Sequence, residues 1–394
     1  MDGHRAGTAP GEAERGGHLM RVLLDATAVP VDRGGVGRYV DELVPELDRS
    51  DVDLVLAVQR RDVAHYRALA PSARVIAAPG LVARRPLRML WEQTGLVALA
   101  VKVRADVVHS PHYTLPVLIA PRVVDTLHDA TFFSDPELHL RSKGAFFRTW
   151  IRWAVRLAGA IVVPSAATRS EIARATGTDP DRAVVAHHGV DAERFHPVDR
   201  AEIARVRATL EIGDRPYVGF LGTLEPRKNV PALIRAWVTA CEGRTDPPAL
   251  VLAGAKGWDQ DVARALEQVP GHLVVRAPGY LPLADLPGFL AGATVLAYPS
   301  LGEGFGLPVL EAMACGATVL TSEELSLPEV GGDAVAYCGT TSGEIAAQLR
   351  VLLDDPALRR HLGTAAVERA ASFTWARAAQ QHLVAYRAVA DRRR

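Results

Sequence analysis

The segment AYPSLGEGFGLPVLEAMACG, residues 297–316, holds two glutamates, Glu303 and Glu311, with seven residues between them. The pattern predicts a strand ending at Tyr298 and Pro299, then a loop carrying Glu303, Gly304, Phe305 and Gly306, then a helix opening at Leu307 and Pro308. Proline suits a first helical turn, where its missing N–H would have no partner anyway. The two glycines let the backbone approach a ligand closely, and the helix start offers free N–H groups to a phosphate. About one turn inside that helix, the Glu311 carboxylate is placed to bridge the paired hydroxyls of a ribose, as an acid does in dinucleotide folds. Glu303, in the loop, lies nearer to where a sugar beyond the phosphates would sit. Read blandly, the same string is a strand–loop–helix joint with two surface acids.

A second segment, GFLGTLEPRKNVPALIRAW at 219–237, places Arg227 and Lys228 in a turn between a strand ending at Leu221 and a helix. Two adjacent cations there can clamp a diphosphate, Arg through its planar fork and Lys as a point charge. They would also offset charge growing on a departing phosphate, in place of a metal ion. The plainer alternative is a solvated pair at a helix start. In the other half of the chain, VDRGGVGRYVDEL sets Gly34, Gly35 and Gly37 in a loop that opens a helix, where backbone N–H groups can cradle phosphate. It is not a full dinucleotide fingerprint, because Val40 stands where the third glycine would be. VVDTLHDATF puts His128 and Asp129 at a strand's carboxyl end, and Tyr113 in PHYTLP ends a neighbouring strand, where it would line an acceptor pocket.

Side chains this far apart must be positioned by a regular scaffold. From Arg21 onward, short β-branched runs alternate with helix-length segments: RVLLDATAV, LVLAVQ, RVIAA, DVVHS, VVDTLH, AIVVPS and AVVAHH. They are apolar almost throughout, as strands covered on both faces must be. A second series follows after a polar interval: YVGFLG, ALVLAG, HLVVRA, TVLAYPS, ATVLTS and AVAYC. Strands alternating with helices predict parallel sheets, and two comparable series predict two doubly wound α/β domains facing a central cleft. The expected division is a disordered tail over 1–19, with Met20 as an alternative start, then a first domain over 20–196 and a linker over 197–215. A second such domain follows over 216–373, and a last helix over 374–394 is placed to cross back onto the first domain. Ligands of such sheets bind beyond the strands' carboxyl ends, where all the motifs above fall.

Lys plus Arg equals Asp plus Glu at 45 each, so there is no global attraction to nucleic acid and any electrostatic site must be local. Three cysteines, Cys241, Cys315 and Cys338, with no close pair and no His at ligand spacing, argue for a reducing, cytoplasmic setting and against structural zinc. No apolar run is long enough to span a membrane. Residues 141–157 read as an amphipathic helix in which Phe146, Trp150, Trp153 and Leu157 form a core-facing stripe, with Arg148, Arg152 and Arg156 on a solvated ridge. Peripheral contact with anionic lipid at the inner face of the membrane is the alternative reading of that helix, reinforced by ARRPLRMLW at 83–91. Asp51-Val52-Asp53 resembles a metal-binding signature of one class of sugar transferase but lies at a strand's amino end, and is expected to be a turn.

Together these residues resemble the retaining glycosyltransferases of family 4, which have the GT-B fold. The resemblance runs over nearly the whole chain from Met20, through GGVGRY, DTLHDATF, VPSAATRSEI, HHGVDAERFHP, GTLEPRKN, DLPGFLAGATVLAYPS and GEGFGLPVLEAMACG. It implies that Glu311 holds the donor's ribose, and that Glu303 with the backbone of Gly304, Phe305 and Gly306 and with Leu307 holds the donor sugar. Arg227 and Lys228 would bind the diphosphate, Gly35 would approach it from the opposite domain, and His128 would sit near the reacting sugar. Many members carry an Arg directly after the glycine of the diphosphate strand; here Thr223 follows Gly222, and Arg227 is expected to compensate. The resemblance further implies a nucleotide-sugar donor (GDP-mannose or a UDP-sugar), no metal or other cofactor, and front-face attack with retention. The acceptor is open among glycans, lipid-linked molecules and small natural products. Rival readings are a nucleotide-sugar epimerase of the same fold and a catalytically silent nucleotide-binding subunit.

Overall fold

The computed structural model describes residues 19–31, 33–134 and 141–392. The expected tail over 1–19 therefore lies almost wholly outside the described residues. Two parallel sheets organise the chain. The first contains β1 (Met20–Asp25), β2 (Val52–Val58), β3 (Arg74–Ala77), β4 (Val107–Ser110), β5 (Val123–Thr126), β6 (Ala160–Val163) and β7 (Ala183–Val185), in the order β3-β2-β1-β4-β5-β6-β7. The second contains β8 (Tyr217–Leu221), β9 (Ala249–Ala253), β10 (Val275–Gly279), β11 (Val295–Tyr298), β12 (Val319–Ser322) and β13 (Ala336–Cys338), in the order β10-β9-β8-β11-β12-β13. Every apolar run read as a strand coincides with one of these.

Both sheets reverse direction of strand order once, between β1 and β4 and between β8 and β11. Parallel sheets open a crevice at such a switch point, because the connections on either side leave toward opposite faces. The GGVGRY, PHYTLP and HDA segments follow β1, β4 and β5, while GTLEPRKN and SLGEGFG follow β8 and β11. All but the HDA step, one strand further along after β5, thus fall at the two switch points.

Alternation along β1 shows why its residues are apolar in succession. Val22 and Leu24 enter one core layer and Leu23 the other, so both faces of the strand are covered. The layer on the Val22 side is completed by the helix Trp375–Asp391, whose Trp375, Ala378, Ala379, Leu383, Tyr386 and Val389 share that core. These positions recur every three or four residues, one face of a helix, and burying Leu383 and Val389 there contributes about 2 kcal/mol each. The stretch 197–215 holds a helix, Arg200–Thr209, capped by the Asp199 side chain and burying Val206 in the core of the second sheet.

Two local expectations are corrected. The helix Arg141–Leu157 forms, but its core face is Trp150, Ile151, Ala154 and Val155. Phe146, Trp153 and Leu157 point outward and are 39%, 43% and 41% exposed, so the aromatic stripe shares the solvent side with Arg152 and Arg156. The smaller Ile151 and Ala154 let the helix sit closer to the sheet than a row of indoles would. The Asp51–Asp53 string is only partly a turn: β2 begins at Val52, and the Asp53 carboxylate accepts from Arg21 Nε at 2.5 Å.

Candidate functional site

In the second half of the chain, the loop after β8 forms a short 3-10 turn, Pro226–Lys228, closed by Asn229 in the left-handed conformation (φ 56°). It is stitched to the loop after β11: Leu301 N donates to Arg227 O at 2.8 Å, and Ser300 Oγ lies 3.0 Å from the same carbonyl. That stitching delivers both cations to Glu303. Lys228 Nζ lies 2.6 Å from Glu303 Oε1, and Arg227 Nη1 donates to Glu303 Oε2. Ser300 Oγ and the Tyr298 hydroxyl also donate to Oε1, at 2.6 and 3.1 Å. Lys228 Nζ additionally reaches the Tyr298 hydroxyl at 2.5 Å.

Burial pushes the Glu303 carboxyl upward, but Arg227 and Lys228 outweigh it and hold the group at about 2. Burial and the neighbouring Arg227 push the Lys228 ammonium down, against the pull of Glu303. Arg227 Nη2 also donates to Glu225 Oε1 at 2.7 Å, so two carboxylates balance the two cations where the sequence places a diphosphate.

Phe305 is 4% exposed, its ring packed against His187, His188 and Phe373, so only its backbone is left to face a ligand. Gly306 is in the left-handed region (φ 103°), a turn few other residues tolerate, and it opens the helix Leu307–Ala314. Glu311 lies on that helix, buried, with Oε1 ion-paired to Arg38 of the first half and Oε2 without a partner among the described residues. Burial raises the Glu311 carboxyl and Arg38 only partly offsets the rise.

The first half of the chain closes over this arrangement. A Cβ on Gly304 would meet the His128 carbonyl oxygen at 1.8 Å, so only glycine lets the two backbones approach. The Gly304 carbonyl accepts from Ser165 Oγ at 2.7 Å and Thr168 Oγ1 at 3.0 Å. Glu329 reaches across to the start of the helix Ala166–Thr176, accepting from Ala166 N at 2.9 Å, and lies 2.5 Å from His187 Nε2. The negative carboxylate there complements the helix's positive end. His128 Nε2 bonds the Pro111 carbonyl at 2.8 Å, and burial lowers its basicity. The Tyr113 hydroxyl donates to Asp129 Oδ2 at 3.1 Å, and Asp129 is near enough to Arg227 to stabilise its charge.

The fold therefore brings Glu303, Arg227 and Lys228 into direct contact, places Gly304 on His128, and sets Tyr113 and Asp129 beside them. Glu311 stands apart from that cluster, against Arg38. Gly35 starts the helix Gly35–Asp48, and a Cβ there would meet nothing within 4 Å, so packing alone does not require glycine. Sequence reasoning missed Arg38, Ser165, Thr168, Ser300 and Glu329. All but Glu329 lie within or beside quoted motifs, yet only long-range contacts reveal what they touch. A further buried group, Asp25, Glu92 and His112, brings three ligand-type atoms within 4.8 Å of one another. Arg88 Nη1 lies 2.9 Å from Glu92 Oε2 and 3.5 Å from His112 Nε2, so one of the group's two carboxylates already has a cation.

The chain matches the model described as Glycosyltransferase Family 4 over residues 33–194 and that of Glycosyl transferases group 1 over residues 203–369. It is 30% identical to O-antigen chain mannosyltransferase B of Escherichia coli, an alignment covering 93% of this chain and 100% of that protein. Among solved structures, a sucrose-phosphate synthase from Thermosynechococcus elongatus superposes with a TM-score of 0.74 at 20% identity, covering 93% of this chain and 98% of that one. HepE of Anabaena in complex with UDP-glucose gives 0.70 at 21%, with the same coverage. Those identities carry the fold, two facing Rossmann-like units in the GT-B arrangement, while the match along the sequence carries the family. With one model matched over the first half and the other over the second, the chain belongs to glycosyltransferase family 4, a family of retaining, nucleotide-sugar-dependent hexosyltransferases.

Proposed function

We propose that the protein transfers mannose from GDP-mannose to a hydroxyl acceptor without a metal ion. The observation that carries this reading is the pairing of Arg227 and Lys228 on Glu303, opposite His128. The donor's diphosphate takes the two cations and its ribose takes Glu311, while Glu303 and the Gly304–Gly306 backbone hold the sugar. The acceptor hydroxyl attacks the anomeric carbon on the face from which the phosphate departs. The carbon–oxygen bond to phosphate breaks, the new glycosidic bond forms, and a phosphate oxygen takes the hydroxyl proton. Arg227 and Lys228 neutralise the charge that grows on the leaving group, so catalysis is positioning plus charge stabilisation. Mannose is favoured by the likeness to the E. coli mannosyltransferase; the HepE complex makes UDP-glucose the first competitor.

A donor panel read by nucleotide release tests this. GDP release from GDP-mannose should exceed release from UDP- and ADP-sugars at least tenfold, a discrimination of about 1.4 kcal/mol, and EDTA should leave the rate unchanged. Faster turnover of a UDP-sugar would reassign the donor. Nucleotide binding with neither hydrolysis nor transfer would favour a silent subunit instead.

The exposed Phe146, Trp153 and Leu157 beside Arg152 and Arg156 support a second element of the reading, an acceptor held at an anionic lipid surface. No helix among the described residues is long and apolar enough to cross a membrane, so contact would be peripheral. The protein should co-sediment with phosphatidylglycerol vesicles and not with phosphatidylcholine ones, and Trp153→Ser with Leu157→Ser should release it. Equal partition with both vesicle types, or with neither, would remove the lipid surface from the proposal.

A further inference from the structure

Arg38 follows the GGVG loop on the helix Gly35–Asp48, in the first half of the chain. Its guanidinium lies over the Phe195 ring, 5.3 Å from the centroid, and reaches across to the second half. Among the described residues it makes one ion pair, with Glu311 Oε1, and the two side chains are 21% and 3% exposed. The acids and base nearby are otherwise engaged: Arg194 lies 3.2 Å from both Glu42 and Asp191. The cavity bounded by Arg38, Asp191, Leu307, Glu311 and Trp375 measures about 10 Å³, room for about one water molecule.

A ribose diol can bind a carboxylate by donating one hydroxyl to each oxygen, a geometry that uses both oxygens of Glu311. Oε2 is unpartnered, whereas Oε1 is held by Arg38. The nucleoside and Arg38 therefore compete for the same oxygen and the same space. We infer that Arg38 is a donor-site residue that occupies the ribose position on Glu311 and must release it before a nucleotide can seat, so that this ion pair sets donor affinity. The inference rests on the assignment of Glu311 to the ribose. When the binding-competent form is only a fraction of the total, the apparent dissociation constant rises by the reciprocal of that fraction, and removing the competitor restores the intrinsic value. Methionine at position 38 keeps the length and the apolar packing on Phe195 while deleting the charge.

Titration calorimetry with GDP, UDP and inorganic pyrophosphate, on the full chain, provides the test. Arg38→Met should bind the nucleotide roughly tenfold more tightly than the parent protein. Pyrophosphate, which has no ribose to place on Glu311, should bind both alike. Arg38→Lys keeps the charge and should stay near the parent affinity, which covers the case of a methionine variant that folds poorly. An unchanged or weaker nucleotide affinity in Arg38→Met would overturn the inference, the weaker result meaning that Arg38 moves onto the donor phosphates. Equal tightening for pyrophosphate would overturn it as well, since the effect would then be cleft opening in general. Glu311→Gln separates this from the reading beneath it. If that variant binds nucleotide as tightly as the parent, the ribose assignment itself fails. If it binds more weakly and Arg38→Met still gains nothing, only the role of Arg38 fails.

Discussion

Lys228→Ala should lower kcat/KM by about a thousandfold, roughly 4 kcal/mol of lost transition-state stabilisation, while the protein stays folded. The ammonium is buried and bonds Glu303 Oε1 and the Tyr298 hydroxyl, within the cluster assigned to the diphosphate. A charge that meets the leaving phosphate as it departs acts more on the transition state than on the bound donor. The loss should therefore fall mainly on kcat. Folding survives because Glu303 keeps Arg227, Ser300 and Tyr298 as partners once Lys228 is gone. The converse substitution, Glu303→Ala, is a poorer probe, since it leaves the buried Lys228 without a carboxylate, while Arg227 keeps Glu225, and costs stability of about 3–5 kcal/mol. Steady-state nucleotide release with thermal unfolding alongside checks the prediction. Activity within tenfold of the parent would detach Lys228 from the reaction.

Acidification should loosen the protein, with the buried histidine contribution lost between pH 6.5 and 4. The cause is a buried polar cluster joining the last helix to the first sheet. His382 Nδ1 donates to the Ala378 carbonyl at 2.7 Å, which leaves Nε2 to accept from the Tyr39 hydroxyl at 2.6 Å. Tyr39 also meets Thr126 at 3.0 Å, and His109 links Thr126 at 2.9 Å to the Tyr386 hydroxyl at 2.8 Å. These rings are fully enclosed, so burial holds His382 down at about 4, against an ordinary 6.5, with His128 adding to the effect. His109 and His188 are lowered in the same direction for the same reason.

The sign follows from proton counting. The unfolded chain takes up the proton near pH 6.5 and the folded chain only near pH 4, so stability is complete above 6.5 and declines as pH falls through that window. His382 alone accounts for about 3 kcal/mol. Glu303, held at about 2, contributes in a separate and lower window, between its ordinary 4.5 and 2. Urea unfolding at pH 7, 5.5 and 4.5 should show the decline, and His382→Gln should flatten it. A parent and variant with the same pH slope would sink the assignment to this cluster.

The order of the elements was legible because it depends on local chemistry. Strands covered on both faces must be apolar in succession, as in VLL at 22–24, and glycines at 304 and 306 mark where backbone must pass close to something. The same logic put Arg227, Lys228 and Glu303 at strand ends, and hence within reach of one another. The outward turn of Trp153 was not legible, because amphipathic spacing shows that a helix has two faces and not which one the sheet accepts; the smaller Ile151 and Ala154 settled it. Arg38 on Glu311, Glu329 on Ala166, and His382 on Tyr39 join residues more than 150 positions apart in the chain. Side-chain type determined what each of these could bond, but only closure of the two halves on each other decided which partner came near enough to do so.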